Sequence, residues 1–231
     1  MSTQPQHPDQ ASTFRNLSTP RAAALAGVLF AVLFGTTLIL IRIEIPEGVR
    51  DSTELMKSPQ TAIKTATVLM PFAGISFLWF IGVVRDGFGR YEDRFFLSVF
   101  LGSGLLFLAM MFVATATAGA LVASNTGVVD TAAHAEVVSF GKMVVFSATQ
   151  TYALRMAAVF MISLATIWLK TRLMPRWLAG LSYLLALTLL IGSEISMWVT
   201  LAFPTWVLVV SVLILARSGH VDNERTTRDS D

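Results

Sequence analysis

Residues 22–41 run for 20 positions without a charge, and residues 95–129 for 35. A helix needs about 20 apolar residues to cross a hydrocarbon core of about 30 Å, so runs of this length constrain the fold more than any motif. Residues 177–216 add 40 positions interrupted only by Glu194. Charged residues make up 14% of the 231, against roughly 25% in soluble domains. Hydrophobic residues reach 54% and the mean hydropathy is +0.66. Lipid is therefore the solvent for most of the chain. Backbone amides and carbonyls find no water there, so the spanning elements must satisfy them internally, as helices do.

Residues 1–21 are rich in Gln, Ser, Thr and Pro and are expected to form a disordered tail, because they cannot bury enough surface to offset ordering entropy. The first span follows at 22–41. Its length, its polar leader and the lack of a small-residue cleavage site before Arg42 argue against a removable signal peptide. A charged connection then leads to Ser58-Pro59, a helix-start signature. The second span is expected across 66–84, with Lys64 at the interface and a kink at Pro71. The third is expected across 95–122, where Ser98, Gly102, Ala109, Ala116 and Ala120, with Thr115 and Thr117, suit close helix contacts. From Asp130 a helix is expected to lie outside the bilayer and continue inward as the fourth span, with Gly141 as a point where it would break. Residues 177–216 have length for two spans and a tight turn near 192–196, and residues 217–231 read as a disordered tail.

The reading is an all-α polytopic transmembrane helix bundle with six spans across residues 22–216. Six spans put both tails on one side. The tails and the connections at 85–94 and 170–176 hold 11 of the 17 basic residues, the opposite side holds 5, and Arg155 is the other one. The positive-inside rule then places both termini in the cytoplasm. The net charge of +2 gives no nucleic-acid footprint. The expected partners are the lipid bilayer and either a second copy of the chain or another membrane protein.

Arg155 is the residue such a bundle must explain. It is the one charge in residues 153–169, and 15 positions before Lys170 it stands about 22 Å along a helix, in the outer third of the bilayer. Glu194, 17 positions after Trp177 and about 25 Å along the next helix, reaches a similar depth. Three readings stand: an ion- or substrate-binding pair in an outward cavity, with Gln150, Thr151 and Tyr152 one turn away, a structural pair that fixes packing, or an arginine that snorkels outward.

No other cluster points to chemistry. His134 and Glu136, near Asp130, match no metal-ligand spacing and read as solvated. The chain has no cysteine, no GxSxG elbow and no Gly-rich phosphate loop, so no catalytic residue, metal or cofactor is expected.

The connection between the second and third spans carries Gly82, Asp86, Gly89 and Arg90. This resembles the signature that major facilitator transporters carry at the same place: a glycine, an aspartate four positions later, then Gly-Arg. Gly87 and Tyr91 stand where that family has basic residues, and its twelve spans are twice those read here. The resemblance implies a transporter working as a dimer of six-span units. Phe77-Leu-Trp-Phe, Glu92-Asp-Arg-Phe-Phe, Gly102-Ser-Gly-Leu-Leu-Phe-Leu and Pro175-Arg-Trp-Leu resemble uncharacterised six-span actinobacterial integral membrane proteins, a family with no assigned activity. That resemblance supports the membrane reading and brings no activity and no site residues. The functional expectation for the whole chain is a non-enzymatic accessory, sensing or small-solute handling component, with the dimeric transporter second and an intramembrane enzyme third.

Overall fold

A computed structural model of the chain describes residues 20–44, 61–87, 94–124, 131–172, 174–192 and 197–228. All the elements among them are helical. In order they are α1 (Pro20–Glu44), α2 (Thr61–Gly87), α3 (Arg94–Ser124), α4 (Thr131–Phe146), a π-helical segment (Ser147–Ala153), α5 (Leu154–Thr171), α6 (Arg176–Gly192), a 3-10 segment (Met197–Leu201) and α7 (Ala202–Arg228). Five stretches are long and apolar enough to cross a membrane: Ala22–Ile43, Thr61–Asp86, Phe95–Ser124, Ala133–Thr171 and Val199–Ala216. The sixth apolar helix, α6, has 17 residues, about 25 Å at 1.5 Å per residue.

Sequence chemistry explains most of the boundaries. Proline suits the first position of a helix, where its missing amide is not needed, and α1 begins at Pro20. Pro71 sits inside α2, where its ring removes the amide that would bond the carbonyl of Thr67. Helix α5 ends at Arg172, whose φ of 54° is the left-handed cap that stops a helix. The amide of Leu178 then donates to the carbonyl of Pro175 at 3.0 Å, turning the chain into α6. α7 continues as helix to Arg228, beyond the expected end of the membrane domain at 216.

The core is aromatic. Phe77 of α2 has its ring centroid 4.5 Å from that of Phe30 in α1, 5.5 Å from Phe107 in α3, 5.4 Å from Phe160 in α5 and 5.9 Å from Phe203 in α7. One ring from each of five helices thus meets at one place. Lipid tails are as apolar as the core, so shape-matched packing holds such a bundle together, and each aromatic pair contributes about 0.5–1.5 kcal/mol beyond area burial. The opposite faces carry large apolar side chains in the open, Trp79 at 69% exposure and Ile191 at 70% among them. Such faces suit acyl chains and would be a liability in water.

α6 lies at the side of the bundle, against α5. Two hydrogen bonds hold it: Tyr183 Oη lies 2.6 Å from Thr166 Oγ1 of α5, and Trp206 of α7 donates from Nε1 to Ser182 Oγ at 2.8 Å. One turn beyond Thr166 on α5, the ammonium of Lys170 sits 4.4 Å from the ring centre of Phe96 in α3.

Two expectations about packing are corrected. Of the small residues of α3 expected to make close contacts, Ser98, Ala109, Ala116 and Ala120 are exposed. Thr115 is buried as expected, and the rest of the contact face is formed by Ser103, Gly104, Ala114 and Ala118; a Cβ on Gly104 would lie 2.8 Å from Ile81 Cδ1. Gly141 does not break α4. It is buried inside the helix, where a Cβ would lie 2.5 Å from Leu121 Cδ2, so its lack of a side chain lets α4 approach α3.

Candidate functional site

The fourth rod runs from Thr131 to Thr171 and changes register once, at the π-helical segment Ser147–Ala153. In an α-helix each amide bonds the carbonyl four residues back; in a π-helix it bonds the one five back. The amide of Leu154 donates to Thr149 in the π fashion, and from Leu154 onward the backbone is α-helical. Returning to the shorter register passes over one carbonyl, and the count gives that of Gln150. Each wide turn inside a membrane helix therefore creates an acceptor that needs a donor from elsewhere.

Arg155 is the second residue of α5 and is half-buried. Its guanidinium folds back along the helix and donates from Nη1 to the carbonyl of Thr151 at 3.0 Å. Side chains on a helix lean toward its N-terminus, which brings an arginine over the turn before it. At least part of its hydrogen-bonding capacity is thus used on its own rod. Glu194, the expected partner, lies outside the described residues.

The other expected site residues separate. Gln150 and Thr151 are half-buried, while Tyr152 points outward at 56% exposure. Gly82 and Asp86 are exposed on the last turns of α2, one helical turn apart, and a Cβ on Gly82 would meet open space. Helix α2 continues to Gly87, so the first half of that signature is helical rather than looped. Gly89 and Arg90 lie outside the described residues, as does Asp130. His134 is half-buried and Glu136 exposed on α4. Among the described residues no three His, Cys, Asp or Glu side chains come together as a metal site.

Sequence reasoning missed the feature that organises the region. A cavity of about 40 Å³ lies between the end of α1, α3, the π segment and the 3-10 segment, with Arg42, Met111, Thr149, Gln150, Thr200 and Leu201 in its wall. The two helical segments among the described residues that are not α-helix both border this one space. The 3-10 segment has a correlate in the sequence: Pro204 lacks the amide that would bond the carbonyl of Thr200 in an α-helix, which weakens regular helix at that turn. Irregular backbone at membrane depth is tolerated where it is enclosed by protein or lines a hydrated space. The polar groups available are hydroxyls, one amide and one guanidinium, which bind by hydrogen bonding and carry no nucleophile–base pair.

Apolar helices packed around an aromatic core, with a π turn and an arginine inside one of them, define a multi-pass membrane protein. The chain matches no protein-family model, no curated protein and no solved structure.

Proposed function

We propose that the chain is a six-span component of a bacterial cytoplasmic membrane, with both termini cytoplasmic, acting as a non-enzymatic accessory, sensing or small-solute handling protein. This keeps the resemblance to six-span actinobacterial membrane proteins as the assignment of kind. The observation that supports it is the convergence of the π and 3-10 segments on one polar-edged cavity, because π turns in helices are frequent at functional sites. The second reading, a transporter built as a dimer of six-span units, is favoured by those same breaks, since transporters form their sites from interrupted helices. Against it stands size: about 40 Å³ is far below the roughly 300–1,000 Å³ of a pocket for an organic ligand.

Purified protein in sealed liposomes tests the two readings. The accessory or sensing reading expects permeability to small solutes equal to that of protein-free liposomes. Saturable flux of any solute class would replace it with the transporter.

A further inference from the structure

The passed-over carbonyl of Gln150 and the cavity beside it belong together. Gln150 contributes to the cavity wall, and Thr149 and Thr200 bring hydroxyl-bearing residues to the same space. Arg42, half-buried in the last turn of α1, borders it toward that end of the helix. The remaining wall is mostly apolar. A water needs about 10–15 Å³ of such space and two to four polar partners, so about 40 Å³ holds a few waters and little more.

We propose that this cavity is a hydration site, in which ordered water donates to the main-chain carbonyl of Gln150 and is shared among Thr149, Thr200 and Arg42. An acyl chain is the competing occupant, given the apolar wall. It has no donor for the carbonyl and would leave an acceptor unsatisfied in hydrocarbon, which water corrects. The inference rests on the register of the fourth rod and stands apart from the functional reading above. It gives the π segment a physical reason to persist: the cavity water supplies the hydrogen bond that the wide turn gives up. A small neutral solute with a donor at one end could take the same place.

The chain provides its own reporter. Met111, Met70 and Met161 are each no more than 1% exposed, and of the three only Met111 borders this cavity. Full-length protein in lipid nanodiscs would be irradiated so that hydroxyl radicals form from water wherever water resides, and methionine sulfoxide would be read by mass spectrometry. Bound water in the cavity predicts oxidation of Met111 at least about tenfold faster than of Met70 and Met161, because susceptibility follows access to the oxidant. Equal rates at the three would overturn the proposal and indicate an apolar occupant. Thr149→Leu, which fills the cavity, should lower the Met111 rate to that of the other two. Met70 and Met161 staying protected in that variant would report that the bundle remains folded. A Met111 rate unchanged by the filling would also overturn the proposal, since the water would then reach the sulfur by another route.

Discussion

Arg155 donates to the carbonyl of Thr151, 3.0 Å away and one turn back on its own rod, at the end of a π-helical segment. The contact needs a donor, and this orders the substitutions. Arg155→Lys keeps both donor and charge, Arg155→Leu removes both, and Arg155→Glu places lone pairs against a carbonyl. Folded yield and thermal midpoint in detergent should fall in the order Lys, Leu, Glu, with about 1–3 kcal/mol between the first and the last. A glutamate as well tolerated as lysine would show that the donation contributes nothing.

The crossing of α1 and α7 yields a second prediction. Ser211 Oγ is the one buried side-chain polar atom without a hydrogen-bond partner among the described residues, and it lies where a Cβ on Gly27 would sit. Gly27→Ala should cost about 1–3 kcal/mol by overpacking. Ser211→Ala should be neutral or stabilising, because it deletes an unsatisfied hydroxyl. The double variant should recover part of the loss, with a coupling of about 0.5–3 kcal/mol. Simple additivity would mean the two helices do not meet there.

Helix α6 depends on its polar ties. Trp206→Phe removes the 2.8 Å donation to Ser182, and Tyr183→Phe the 2.6 Å contact with Thr166. Hydrogen bonds between membrane helices contribute about 0.6 kcal/mol on average and up to about 1.7. Each variant should lose an amount in that range when unfolded in mixed micelles. A loss of several kcal/mol would mean the rings matter through packing instead.

The proposed topology makes a prediction of its own. Reporter fusions at Asp231 and at Gly48 should lie on opposite sides of the membrane, with Asp231 cytoplasmic, if α6 crosses the bilayer and the basic residues orient the chain. Signals on the same side would leave α6 as a surface helix and the bundle with five spans.

The long apolar helices were legible in the sequence because charge-free length can be counted against bilayer thickness. The first was read at 22–41 and lies within Pro20–Glu44; the third was read at 95–122 and corresponds to Arg94–Ser124. Which face of a span packs inward was not legible. In lipid both faces are apolar, so the periodicity that separates inside from outside in water vanishes. Ser98, Ala109 and Ala116 were read as contacts and are exposed, while Gly104 and Ala114 make them. The π turn left no mark, because one extra residue in a wide turn changes no composition. The 3-10 segment did leave one, Pro204 four positions after Thr200. Arg155 stood out at once as a charge among apolar residues, yet its contact with Thr151 depends on a backbone path that composition does not encode.

The convergence of the π and 3-10 segments carries the account, and a disulfide test addresses it directly. The native chain has no cysteine, so Gln150→Cys with Thr200→Cys gives a clean background. Under mild oxidation in membranes this pair should cross-link rapidly, while Gln150→Cys paired with Thr188→Cys on the exposed side of α6 should stay reduced. Failure of the Gln150–Thr200 pair to cross-link, or equal cross-linking of both pairs, would contradict the shared cavity and the function proposed from it.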